Sequence, residues 1–281
     1  MWPPGPAARM TSLPASPGAA MPSPKDAATL ILTRDGTAGL EVLLLERHPA
    51  SRFAPGAFAF PGGRIEADDA PSDAARFCCG LTATDAAQAL RDVSPPGRAL
   101  GFWVAGIREA FEEVGLLLAY ERTGEPLRLE GEPGARFAAH RQDCRRDPRA
   151  FWRMVRDEQL LLATDRLAYF AHWITPEERA IRYDTRFFVA ATLPGQVPDP
   201  DGVEVVSWRW LAPRQALALH QERRLLLPFP TMKSLEVLEG FDRLAPLLAA
   251  VRRREVRAAR PRLIVEDGEE RLLLPGDPGY Y

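Results

Sequence analysis

The chain has 281 residues, 46% hydrophobic and 26% charged, with a formal net charge of −2. That is enough apolar material for one elaborated globular domain or two small ones, and the near-balanced charge gives no bulk drive toward nucleic acid or an anionic membrane. Cys78, Cys79 and Cys144 make neither a disulfide framework nor a zinc spacing, which points to a reducing compartment, read here as the cytoplasm, and no apolar run is long enough for a membrane helix.

Residues 1–25 are rich in Pro, Ala, Ser and Gly, lack the charged start and apolar centre of a secretory signal, and read as a disordered tail. The remainder, 26–281, reads as one domain. Ala27 to Thr33 and Leu40 to Glu46 are expected strands around the hairpin signal Arg34-Asp35-Gly36-Thr37. Ala57 to Phe60 is a short third strand, and Pro61-Gly62-Gly63 suits a tight loop whose backbone comes close to a ligand. A segment of about 70–100 is punctuated by Ala70-Pro71-Ser72 and Ser94-Pro95-Pro96-Gly97, with a short helix capped by Thr84 or Asp85 and running to Leu90. A helix follows over about 100–117, and Asp147-Pro148 opens another to Gln159.

Strands are expected over 167–174, 186–193 and 203–210. Pro213 opens a helix to Glu222, and Thr231 or Ser234 opens the next. The last stretch, about 241–281, reads as an extension. It holds a helix with Leu244, Leu247, Leu248 and Val251, ended by Arg252 to Arg254, and a hairpin turning at Asp267-Gly268. Strands mixed with helices fit an α/β/α sandwich.

The chemistry concentrates in Arg108-Glu109-Ala110-Phe111-Glu112-Glu113-Val114-Gly115-Leu116. Glu109, Glu112 and Glu113 stand at i, i+3 and i+4, on one helical surface, where like charges repel. A hard divalent cation turns that repulsion into attraction, because its ligands are oxygens. Ile107, Ala110, Phe111 and Val114 fall on the other side and suit burial. The bland alternative is a solvated acidic face.

Gly63 and this helix together resemble the signature of the Nudix hydrolases, a glycine, five residues, a glutamate, seven residues, then Arg-Glu-U-x-Glu-Glu-x-Gly-U with U apolar. Arg108 to Leu116 fill the second half. Two departures stand out: Asp69 takes the place of the first glutamate, and 38 residues, 70–107, lie where the pattern has seven. Upstream, Leu43 to Gly63 is similar to the additional motif of the coenzyme A diphosphatase branch, with Arg47, Arg52, Gly56 and Phe60-Pro61-Gly62-Gly63 in register. A long insert inside the box is a habit of the subgroup whose mammalian members are peroxisomal acyl-CoA diphosphatases. Their terminal peroxisomal tripeptide is not found in Gly279-Tyr280-Tyr281.

The resemblance implies the Nudix fold with a mixed sheet and Mg²⁺ or Mn²⁺ as cofactor. It makes Glu112 and Glu113 metal ligands, Glu109 a ligand or the general base, and the Gly63 carbonyl a further ligand. Arg108 orients a carboxylate. Arg47, Arg52, Gly56 and Gly62 meet the nucleotide. Asp69 is one methylene short for direct metal contact, and Glu204 is the second choice of base, against an ordinary strand-edge glutamate. Surface ion pairing is the bland alternative for Arg47 and Arg52. Phe53 and Phe60 are candidates for stacking on adenine, with core packing the simpler reading of Phe60. The insert is either a lid over a pantetheine arm or a decorated loop.

The implied reaction is hydrolysis of coenzyme A or acyl-CoA at the diphosphate, giving 3′,5′-ADP and a 4′-phosphopantetheine derivative. The rivals are cleavage of ADP-ribose, a dinucleotide or another nucleoside diphosphate derivative, and a non-catalytic nucleotide sensor on the same fold. Neither nucleic acid nor membrane is expected as partner.

Overall fold

The computed structural model describes residues 23–51, 54–266 and 268–280. In chain order the strands and helices are β1 (Lys25–Gly36), β2 (Gly39–Arg47), β3 (Phe58–Ala59), β4 (Gly62–Arg64), α1 (Ala83–Ala89), α2 (Pro96–Val114) and β5 (Ala119–Tyr120). Then come α3 (Glu132–Arg146), α4 (Arg149–Asp157), β6 (Leu161–Leu162), β7 (Ala168–Ile174), β8 (Tyr183–Ala191) and β9 (Val205–Leu211). The chain closes with α5 (Pro213–Gln221), α6 (Phe229–Leu238), α7 (Leu244–Arg253), β10 (Ala258–Ala259), β11 (Arg262–Glu266) and β12 (Glu269–Leu273).

Eight strands form one mixed sheet in the order β10-β7-β8-β1-β2-β3, with β4 also on β1 and β9 also on β2. β1 runs parallel to β8 and antiparallel to β2 and β4. The centre of β1 is buried on both faces. Leu30 and Leu32 join a core with α2, while Ile31 joins a second core with α5, α6 and α7. Successive strand side chains point to opposite faces, so a run of three buried aliphatics needs helices on both sides. The result is the α/β/α sandwich, with the box helix α2 on one face of the sheet.

Several boundaries differ from the sequence reading. The helix expected from about residue 100 begins earlier, inside the Ser94-Pro95-Pro96-Gly97 stretch, with Pro96 in the first turn of α2, where a missing N–H costs nothing. The same helix stops at Val114 because Gly115 takes a left-handed conformation as its cap. Thr82, not Thr84 or Asp85, caps α1, and Asp85 completes the capping box from the third position. α6 begins at Phe229, so Thr231 and Ser234 lie inside it, buried, with Ser234 donating to the Pro230 carbonyl at 2.7 Å. α3 was not anticipated. It buries only Phe137, Arg141 and Cys144, too few apolar groups to leave a stripe.

Candidate metal and diphosphate site

The glycine pair is not a loose loop. Gly62–Arg64 is a short strand antiparallel to β1, with Ala28 opposite Gly63 and Thr29 opposite Gly62. A Cβ on Gly62 would lie 2.5 Å from the Ala28 carbonyl oxygen, and one on Gly63 would lie 2.4 Å from Glu109 Oε1. Both glycines therefore serve close approach, one to backbone and one to a box carboxylate. This brings Gly63 and α2 together across the sequence gap.

Arg108 is the hub. It is 4% exposed, and its donors are shared among three carboxylates and one carbonyl. Nε and Nη2 grip Asp69 Oδ1 and Oδ2 at 2.7 and 3.0 Å. Nη1 donates to Glu109 Oε1 at 2.9 Å and Glu112 Oε2 at 3.0 Å, and Nη2 also reaches the Arg64 carbonyl at 2.9 Å. The fork shape of a guanidinium makes the two-bond grip on Asp69 possible. Asp69 also accepts the Glu66 N–H at 2.7 Å, so both of its oxygens are engaged with the protein. A side chain in the first-glutamate position thus orients Arg108. Glu113 is buried too, and its Oε2 accepts the Gly62 N–H at 3.1 Å.

Three buried or nearly buried carboxylates, Asp69, Glu109 and Glu112, share the Arg108 guanidinium, and buried Glu113 is held by the Gly62 N–H. Burial pushes Glu109 up to about 7 and Glu112 up to about 6, with Arg108 pulling the other way and neighbouring acids adding to the rise. Burial raises Glu113 well above the usual carboxylate range, with Glu109 adding and Arg47 opposing. Asp69 is raised by burial against the pull of Arg108. Burial works against the Arg108 charge, yet its acid partners hold its pKa above the ordinary value.

Glu112 Oε1 is buried and has no hydrogen-bond partner. An orphaned carboxylate oxygen in a cluster of surplus negative charge is the donor chemistry a hard cation requires. The oxygens of Glu109, Glu112 and Glu113 are not all within 4.8 Å of one another; Arg108 Nη1 holds one oxygen each of Glu109 and Glu112, and the Gly62 N–H holds one of Glu113. Among the described residues that proximity is met by Asp92, His172 and Asp184. There the Arg186 guanidinium bonds both Asp92 and Asp184, and His172 Nε2 lies 2.6 Å from Asp184 Oδ1, so the group reads as an ion-pair network.

A cleft of about 570 Å³ opens beside the box. Glu109, Glu112, Gly62, Gly63, Arg47 and Glu204 line one part of it. Leu226, Phe229, Pro230, Ile181, Pro261 and Leu272 are among the side chains of an apolar part. Glu113 is absent from this lining, as is Gly56. Gly56 has φ +67° and open space where a Cβ would stand, so its glycine serves the turn before β3. Arg52 and Phe53 lie outside the described residues. Phe60 is buried in the core, though it borders the cleft.

The insert is not a lid, since no residue from 67 to 107 borders the cleft. α1 packs in the core of α2, and Cys79 N–H bonds the Leu162 carbonyl at 2.9 Å. The apolar wall comes instead from the α5–α6 connection and the C-terminal extension. The latter is tied to the loop after β7 by ion pairs of Arg179 with Glu270 and Arg260 with Glu177, both at 2.6 Å. Sequence reading missed this wall and the arginines of α3. Its one local signal was Asp199-Pro200-Asp201-Gly202, a turn motif whose aspartates reach α3.

Residues 75–238 match the NUDT19 Nudix domain, more than half of the chain. The chain belongs to this Nudix family. Acyl-coenzyme A diphosphatase NUDT19 of Homo sapiens is 31% identical over 239 residues, covering 74% of this chain and 63% of the human protein, so the chain spans less than two thirds of that relative. The Xenopus laevis protein of the same name is 28% identical over 284 residues, covering 88% of this chain and 73% of its own length. A Nudix hydrolase structure from Alicyclobacillus acidocaldarius superposes with a TM-score of 0.66 at 25% identity, covering 82% of this chain and 97% of that one. Nudix hydrolases need divalent metal ions, in keeping with the donor set around Glu112. Among the described residues no helix is long and apolar enough to cross a membrane.

Proposed function

We propose that this chain hydrolyses the diphosphate linkage of coenzyme A or acyl-CoA, with Mg²⁺ or Mn²⁺, to 3′,5′-ADP and (acyl-)4′-phosphopantetheine. The observation that carries the reading is the two-part cleft. One end is acidic and arginine-lined and suits a cation with a diphosphate; the other is apolar and suits a pantetheine or acyl arm. The curated relatives named acyl-coenzyme A diphosphatase support the substrate class. The free thiols of Cys78, Cys79 and Cys144 suit a reducing compartment such as the cytoplasm.

Glu112 and Glu109, with Glu113 and the Gly63 carbonyl beside them, would hold the cation. A divalent ion held there supplies charge neutralisation at the phosphoryl oxygens and a more acidic water. Arg108 keeps the Glu109 and Glu112 carboxylates in place and locks Asp69. Arg47 lines the same end of the cleft and meets the diphosphate. Water attacks one phosphorus, its proton passes to a carboxylate, and the anhydride P–O bond breaks with its electron pair leaving on the departing phosphate. Glu109 and Glu204 are the two carboxylates open to that proton role.

Coenzyme A, 3′-dephospho-coenzyme A and ADP-ribose, each with Mg²⁺ and with Mn²⁺ and with products resolved by mass, make the test. Coenzyme A or its acyl thioester is expected to turn over fastest and to release 3′,5′-ADP. Equal rates on all three would remove the coenzyme A assignment.

A further inference from the structure

The segment before β9 is fixed to the end of the box helix by α3. Asp201 has a side chain only 3% exposed. Its Oδ1 accepts the backbone N–H groups of Val203 at 3.0 Å, Glu204 at 3.0 Å and Val205 at 2.8 Å. Three donors on one carboxylate oxygen close a tight turn. Its Oδ2 pairs with Arg145 Nη2 at 3.0 Å.

One turn back on α3, Arg141 donates from Nε to the Glu112 carbonyl at 3.0 Å and from Nη2 to the Glu113 carbonyl at 2.8 Å. Its Nη1 bonds Asp199 at 3.1 Å. The Asp199 N–H donates to the Val114 carbonyl at 2.9 Å and the Asp201 N–H to the Glu113 carbonyl at 3.1 Å. These are carbonyls that a helix end leaves without partners. A buried cation at the negative end of α2 adds a favourable dipole contact. On the far side the Glu204 carbonyl accepts the His48 N–H at 2.8 Å, and the β2–β9 register shifts between Glu46 and Arg47. Such bulges re-aim a strand beside a site.

The side chain so presented differs from Glu109. Glu109 is tied to Arg108, whereas the Glu204 carboxylate is exposed and makes no hydrogen bond or ion pair with the described residues. It lines the cleft with Glu109 and Glu112. Its charge is among those felt by Glu112 and Glu113, behind the larger effect of burial.

We propose that Asp201 and Arg145, backed by Arg141, are positioning residues that set Glu204 at the box, where it takes the proton of the attacking water. This rests on the diphosphate hydrolysis proposed above but not on which nucleotide is cleaved. The water oxygen bonds to phosphorus, the anhydride bond breaks, and the proton moves to the Glu204 carboxylate and then to solvent.

The test uses the full chain with Mg²⁺, coenzyme A and ADP-ribose assayed in parallel, and the variants E204Q, D201A, R145A and the doubles of E204Q with each. E204Q should lower kcat about 100-fold, the range for loss of a positioned proton acceptor. D201A should lower kcat at least about tenfold and R145A about threefold, with KM moving less than about threefold. Neither double should fall more than about twofold below E204Q, because the clamp acts only through Glu204. Amide hydrogen exchange at 203–205 should quicken in D201A and R145A. Multiplicative losses in the doubles, or E204Q within about threefold of the parent, overturn the proposal. If D201A does not fold, the R145A cycle carries the same criteria. If the parent cleaves neither substrate, the function proposed above falls separately, and unchanged exchange at 203–205 in both variants still overturns the clamp.

Discussion

Glu112→Gln separates a catalytic carboxylate from a structural one. In the metal-free protein the Glu112 pKa rises from 4.5 to about 6, chiefly because burial penalises its charge. That rise corresponds to about 2 kcal/mol of destabilisation once the pH exceeds both values. The sign follows from proton counts. Below about pH 4 both folded and unfolded forms hold the proton and the penalty vanishes; between the two values the unfolded chain ionises first, so stability falls as pH rises. Glutamine removes the penalty but weakens the Arg108 Nη1 bond to Oε2, returning about 1 kcal/mol. In EDTA at pH 8 the variant should therefore match the parent or exceed it by up to about 1 kcal/mol in urea unfolding, and its relative standing should worsen toward pH 4. With Mg²⁺ added, the parent should gain stability and the variant much less, while turnover falls at least about 100-fold. A variant more than about 1 kcal/mol less stable than the parent at pH 8, with activity loss following the unfolded fraction, would refute the reasoning.

Other outcomes follow from the same geometry. Arg108→Ala strands the buried Asp69 carboxylate with Glu109 and Glu112, and should cost about 3–5 kcal/mol at pH 8 by chemical denaturation, less at pH 5 as the acids take up protons. Gly63→Ala drives a methyl into the Glu109 carboxylate, and calorimetric titration should show weakened Mg²⁺ binding alongside about 1–3 kcal/mol of lost stability. Leu272→Ala and Phe229→Ala thin the apolar wall, and each should lower kcat/KM for a long-chain acyl-CoA relative to coenzyme A by about tenfold. An unchanged ratio in steady-state kinetics would place the acyl arm elsewhere.

The packing side of α2 was legible because helical period and burial coincide: Ile107, Ala110, Phe111 and Val114 are all buried. The acidic side was legible in composition but not in depth. Period alone puts Arg108 and Glu113 outside the apolar stripe, yet both are buried. One guanidinium with five donors supplies locally what solvent would, and no spacing rule sees that. The β1–β2 hairpin and the closing β11–β12 hairpin stood in the sequence through their turn residues. The apolar wall did not, since Ile181, Phe229 and Leu272 meet only through tertiary packing. α3 failed for another reason: its contribution is polar, made by Arg141 and Arg145, and hydrophobic periodicity is blind to it.

The interruption of the box has a practical consequence. Asp69 and Arg108 stand at the two ends of a 38-residue excursion and clasp each other through two bonds, so the detour begins and ends at one point in space. Lengthening a loop whose ends are already joined costs only about 0.6 kcal/mol per doubling. The exposed stretch around Arg91 does not line the cleft. A reporter peptide or fluorophore spliced at Arg91 would lie outside the cleft lining, next to Asp92 and its pairing with buried Arg186.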